Sequence, residues 1–243
     1  MRKSDCVYSF RFAEEAGLIV AECGEIEGLF RDSAVRWQGL GFTHFTYRSV
    51  RLADDGTDVD SCDLMFAHPD WIAFYYDRHL SPIVSGICQS LPTYKLSFFT
   101  TAKLTISPKY TEIIEQSLRH GMFYDCLYHF RNNQMSGGGF SGGRRGEKLG
   151  KNALYAAMGV AVELHEEIKS RLGVAAERTL GLTDNEVKYL QLMFYGLSPK
   201  EIALTSGVSQ NWVAKVCMNA RRKLRVTSNA AAVAKATGLH VLR

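Results

Sequence analysis

The sequence predicts an α+β protein in two parts: a larger body in which helices pack on a sheet, and a small all-helical module at the C-terminal end. Three observations carry this. Aromatic and β-branched stretches are interspersed with helix-periodic stretches as far as about residue 171. Beyond residue 181 only helical patterns remain, punctuated by capping residues and glycines. Charge divides at the same place. Of 29 Lys/Arg and 25 Asp/Glu, residues 178–243 hold 10 and 3, a balance of +7, and residues 1–177 hold 19 and 22, a balance of −3.

The elements follow in order. Residues 10–38 carry Phe12, Ala16, Leu18, Ile19, Ile26, Leu29 and Phe30 at helical spacing. Gly41–Val50 is rich in aromatic and β-branched residues and reads as a strand. Asp54-Asp55-Gly56 onward to Asp60 reads as a turn or exposed loop, and residues 62–67 as a short apolar run. Pro69-Asp70 opens an amphipathic, aromatic-laden segment that ends before Pro82. Residues 108–119 read as helix and Phe123–Phe130 as strand. Ser136–Gly146, glycine-rich, is a strand with close backbone neighbours or a flexible loop. It is not a phosphate loop, because Lys148 is followed by Leu149 where a hydroxyl residue is needed. Residues 151–171 form a long helix pattern that Gly173 is placed to end. These signals set the domains at 1–172 and 182–243, with 173–181 as linker.

Composition narrows the function classes. A chain of 243 residues, 46% hydrophobic and 22% charged, is ordinary globular material rather than a disordered or repetitive one. No run of about 18 apolar residues predicts a membrane span, and the N-terminus lacks a secretory core. A cytoplasmic protein is expected. Cys6, Cys23, Cys62, Cys88, Cys126 and Cys217 form no CxxC pair, so no zinc or other metal site is expected. The seven histidines and the carboxylates show no triad, metal or cofactor spacing, and no enzyme is expected.

The C-terminal module is the most informative part. Thr183-Asp-Asn-Glu186 and Ser198-Pro-Lys-Glu201 are capping boxes, in which hydroxyl and carboxylate satisfy free backbone donors at a helix start. Gly196 ends the first helix, Gly207 permits a tight turn, and Ser209 caps the next. On that third helix Val213, Cys217, Ala220 and Leu224 share one face. The arrangement is a helix-turn-helix. It exposes Gln210, Asn211, Ala214 and Lys215 where side chains can reach base edges. Asn219, Arg222 and Lys223 lie one or two turns later, toward the flanking backbone. Lys200 and Ser209 complete the candidate contacts to double-stranded DNA.

Residues 182–239 resemble the DNA-binding domain of LuxR-type transcription factors. The matching pattern runs Leu182-x-x-x-Glu186-x-x-x-Leu190, Gly196-x-Ser198-x-Lys200-Glu201-Ile202-Ala203, Val208-Ser209-x-x-x-Val213, Asn219-x-x-x-Lys223-Leu224 and Ala236-Thr237-Gly238-Leu239. Trp212 stands where that family has a small hydroxyl residue, and Ala214 where a basic residue is common. The resemblance implies a four-helix module whose third helix enters the major groove of a palindromic site. It also implies a last helix, about 228–238, that pairs with its copy in a homodimer. There Val233 and Ala234 belong to a small-residue surface that admits close approach.

The resemblance extends to the front of the chain. Length, linker position and the preceding long helix match the autoinducer-binding domain of quorum-sensing regulators, an α-β-α sandwich. Trp71-Ile-Ala-Phe-Tyr75 matches the aromatic pocket motif, with Pro82 following. It implies that Trp71 and Tyr75 donate to carbonyls of a small-molecule signal such as an acyl-homoserine lactone. Ser81 precedes the proline in place of the family's aspartate, and Asp77 is the alternative acceptor. The segment is also about three residues shorter than usual. Three readings stay open for the front domain: a lactone, a signal of another chemical type, or no ligand. No other cofactor is expected. The competing function is an interaction protein that sequesters another regulator of the same type by forming a heterodimer.

Overall fold

The computed structural model describes residues 6–52, 58–80, 115–116, 119, 126–131, 135–142 and 149–242. Two compact units emerge. The first holds the chain up to Glu15 together with Val20–Glu167, and the second holds Ala16–Ile19 and everything from Ile168.

Among the described residues, the first unit is built on a five-stranded antiparallel sheet of order β1-β3-β2-β5-β4. The strands are β1 (Val7–Phe12), β2 (His44–Leu52), β3 (Asp58–Ala67), β4 (Cys126–Arg131) and β5 (Met135–Gly142). Antiparallel register sorts side chains by parity. Tyr8, Phe10, Leu64, Phe66, Phe45 and Tyr47 share one face, because Tyr8 and Phe45 both oppose Phe66, and Phe10 and Tyr47 both oppose Leu64. Helix α1 (Val20–Gly39) lays Ile26, Phe30, Ala34 and Trp37 on this face. The rings interlock: Trp37 and Phe45 have centroids 5.1 Å apart, and Phe45 and Phe66 5.5 Å. Helix α3 (Lys151–Leu180) joins the same layer. Trp37 Nε1 donates to the Ala157 carbonyl at 2.9 Å, and Tyr47 Oη lies 2.8 Å from His165 Nδ1. An Arg36–Glu163 ion pair ties α1 to α3 at the surface.

The opposite face carries Ser9, Arg11, Thr46, Arg48, Asp63, Met65 and Ala67. Helix α2 (Pro69–Asp77) covers part of it, with His68 as N-cap and proline at the first turn. The first unit is therefore helix, sheet, helix in layers, the α-β-α arrangement expected. His44, fully buried at the start of β2, is pushed down to about 3 by burial and is held neutral at physiological pH.

Three local expectations change and one open alternative is decided. Residues 7–12, read partly as helix, form an edge strand whose Tyr8 and Phe10 alternate onto the core; α1 begins only at Val20. Strand β3 begins at Asp58, inside the stretch read as loop. The glycine-rich segment resolves to a strand over Met135–Gly142, paired on both sides with β2 and β4. The long helix does not stop at Gly173 but runs to Leu180, so the expected linker 173–181 is helical until Gly181, whose φ of +61° ends it. Gly173 has another use. A Cβ there would come within 3.0 Å of the His240 carbonyl, closer than real Cβ atoms approach. Of the expected helix over 108–119, residues 115, 116 and 119 are helical and the others lie outside the described residues.

The second unit adds α4 (Asp184–Phe194), α5 (Pro199–Ser206), α6 (Gln210–Lys223) and α7 (Asn229–Gly238) to the end of α3. Both capping boxes form. Thr183 N donates to Glu186 Oε2 at 2.8 Å and Glu186 N to Thr183 Oγ1 at 3.4 Å. Ser198 N donates to Glu201 Oε2 at 2.8 Å and Glu201 N to Ser198 Oγ at 3.3 Å. Gly207 takes the left-handed conformation, φ +68°, that closes α5 and aims α6. Two apolar clusters hold the helices. Leu190, Ala220, Leu224, Ala232, Ala236, Val241 and Leu242 pack with Ala176 of α3. Tyr189, Ile202, Ala203, Val213, Val216 and Cys217 form the second.

Candidate functional site

In the second unit the recognition features converge on α6. Its N-cap is Ser209, whose Oγ accepts from Trp212 N at 3.2 Å, so this serine shapes the helix start. Gln210, Asn211, Lys215 and Arg222 are exposed on α6, Asn219 is half-buried, and Lys200 is exposed on the first turn of α5. Lys223 lies elsewhere. Its Nζ donates to Glu186 Oε2 at 2.6 Å and to the Gly181 carbonyl at 2.7 Å. This ammonium braces the helix start it faces, and is already engaged inside its own unit. Burial alone would raise the Glu186 carboxyl; hydrogen bonds from Lys223 and Thr183 outweigh it and hold the group below its usual range.

On α7 the two candidate dimer residues separate. Val233 is half-buried and packs on its own unit's core, whereas Ala234 is exposed.

In the first unit Trp71 and Tyr75, four residues apart, are both buried on one face of α2. They pack with Met65, Ala67 and Leu80. Asp77 ends the helix exposed, and does not join them. Ser81 lies outside the described residues.

Sequence reasoning missed the charged row beside this aromatic pair. Asp63 in β3 stands directly opposite Arg48 of β2 and Arg11 of β1. Asp63 is 5% and Arg48 8% exposed. The Arg11 guanidinium lies 3.2 Å from the centroid of the Tyr76 ring on α2. Burial first, and then the charge of Asp63, pushes the Tyr76 hydroxyl up to about 12. The signal was period-two spacing of Arg48 with Thr46; recognising its meaning needs the cross-strand register. Among the described residues, no group of three or more His, Cys, Asp or Glu gathers as metal ligands, and no helix is long and apolar enough to cross a membrane.

Geometry of this kind, a layered α-β-α unit followed by a four-helix helix-turn-helix, defines a two-part fold class. No protein-family model matches the chain, and no curated protein matches it. Solved structures do. SdiA of Escherichia coli is 12% identical with a TM-score of 0.53, over 90% of this chain and 92% of that one. SdiA in complex with octanoyl-rac-glycerol is 14% identical with a TM-score of 0.51, over 88% of each chain. CepR2 of Burkholderia cenocepacia, an N-acylhomoserine lactone dependent LuxR family transcription factor, is 15% identical with a TM-score of 0.45, over 60% of this chain and 84% of that one. The chain has the fold of SdiA, and the resemblance read from its C-terminal residues holds at the level of fold along most of its length.

Proposed function

We propose that the protein is a homodimeric DNA-binding transcriptional regulator of the LuxR type. In this reading residues 182–243 bind a palindromic site, and residues 1–172 form a sensory domain with a diverged small-molecule pocket. The observation that carries it is the exposed stripe Asn211, Lys215 and Arg222 on a helix whose start is capped by Ser209, within residues 178–243 of charge balance +7. A polyanion is the natural partner of such a face. A dimer matches the symmetry of a palindrome, with Ala234 at the surface that meets its copy. Lys223 acts by positioning α6 rather than by touching phosphate.

Binding of fluorescent duplexes to the full chain tests this. Asn211→Ala or Lys215→Ala should each weaken specific binding by about 1–3 kcal/mol. Arg222→Ala should weaken all sequences alike and flatten the dependence on salt. Unchanged affinity in all three variants would remove α6 as the reading helix. Capture of a second regulator with no protected DNA would favour sequestration.

The sensory reading is supported by the buried Trp71–Tyr75 pair and by the likeness to SdiA, which has been seen with octanoyl-rac-glycerol. Ser81 stands where the family has an aspartate, and the segment from Trp71 to Pro82 is about three residues short, so the amide of a lactone would lose a charge-assisted acceptor. Acyl-homoserine lactones across a range of chain lengths are therefore expected to shift the melting temperature little. A ligand at 100 times its dissociation constant adds about 2.7 kcal/mol, which is easily seen. A large shift with one lactone, lost in Trp71→Phe, would instead establish a classical lactone pocket.

A further inference from the structure

Helix α6 has two opposite faces. Val213, Val216, Cys217 and Ala220 are buried. Asn211, Ala214, Lys215, Met218 and Arg222 are exposed, and their spacing places them on one stripe over three turns. Along it two apolar residues, Ala214 and Met218, alternate with the polar Asn211, Lys215 and Arg222. Met218 is 53% exposed, although methionine is ordinarily core material. Ala214, one turn earlier, presents its methyl group beside it. The core of the module lies on the other side of the helix, so neither side chain contributes to it.

The surroundings say what would cover this strip. Lys200, Lys215 and Arg222 are exposed around it and Arg221 is half-buried. Trp212 and Leu204 are also exposed in the module, but Trp212 lies over a quarter-turn round the helix from the middle of this stripe, and two apolar side chains among cations are too small and too charged a patch for an apolar protein groove. They fit a polyanion that itself offers small apolar groups. In the major groove the C5-methyl of thymine is the one base substituent of that kind.

We propose that Ala214 and Met218 are thymine readers: in each half-site their side chains pack on thymine methyl groups. Asn211 and Lys215 beside them supply hydrogen bonds suited to adenine and guanine. This assignment rests on the DNA-binding reading above, and it makes the base preference of the helix largely one of shape and apolar contact at its centre.

The test uses the full chain and DNA that differs by single methyl groups. Duplexes that bind are first selected from a random pool. The best one is then remade with deoxyuridine replacing thymidine at one position at a time, which keeps every hydrogen bond and deletes one methyl. At one or two thymines in each half-site this exchange should weaken binding about fourfold, the factor that burial of one methyl group is worth. Met218→Asn, a change at an exposed site, should bind the thymine and uracil forms of that position equally while the protein remains folded by circular dichroism. Equal binding of all uracil forms by the unmodified protein, on a duplex it still selects, overturns the assignment while leaving DNA binding intact. If no duplex is enriched and binding is insensitive to salt, the DNA-binding reading itself falls, and the assignment with it. Loss of self-association in Met218→Asn with unchanged DNA affinity assigns the strip to a protein contact and also overturns it.

Discussion

Gly173→Ala is expected to destabilise the C-terminal unit by about 3 kcal/mol, the upper end for forcing extra volume into a packed site. The direction is diagnostic. In an exposed helix interior the same substitution stabilises, by about 1 kcal/mol, because alanine is the better helix former. At Gly173 the new methyl would meet the backbone carbonyl of His240, which cannot rotate aside as a flexible side chain can. Urea unfolding of the full chain, followed by a signal from the helical module, reads the change. A gain in stability would mean that the approach of residue 240 to α3 is loose, and that Gly173 is an ordinary helix glycine.

Lys223→Met should cost about 1–3 kcal/mol at neutral pH, the range for leaving a buried polar group without its partner, because Glu186 is left charged with 3% exposure. The effect depends on pH in a defined sense. The Glu186 carboxyl is held below its usual range in the folded protein. Its contribution is therefore complete above the unfolded value of about 4.3 and disappears as pH falls through the folded one. The stability gap between the parent protein and Lys223→Met should narrow steadily below about pH 4. A gap that stays constant across that range would trace the loss to packing of the lysine stem rather than to the ion pair.

The C-terminal module was legible because its signals are local. A capping box spans four residues and needs no knowledge of the rest of the fold; Thr183, Glu186, Ser198 and Glu201 all act as their spacing predicts. The buried stripe Val213, Cys217 and Ala220 of α6 is likewise a matter of helical period. What was not legible depends on partners distant in sequence. Lys223 looks like any lysine on a basic helix until Glu186, 37 residues away, is brought against it. Gly173 carries the signature of a helix stop, but its neighbour is residue 240. Asp63 acquires Arg48 and Arg11 only through strand register. Strand β1 is six residues long, too short for its alternation of Tyr8, Phe10 and Phe12 to stand out beside the helical pattern that follows. Strand β5 is mostly glycine and serine, so neither period can be read there.

The strand order has a consequence for the birth of the chain. β1, β2 and β3 pair among themselves, and β4 with β5, and among the described residues the two groups join only where β2 meets β5. Contacts so distant in sequence form late, and slow the folding of the whole sheet. While a ribosome is still making residues 68–134, β2 has one edge without its eventual neighbour. That edge exposes unpaired backbone groups of a strand rich in aromatic and β-branched residues, the composition of a strand that recruits other chains. Arg48 then acts as a gatekeeper, a charge set in the middle of an exposed sticky strand before it becomes part of a buried row.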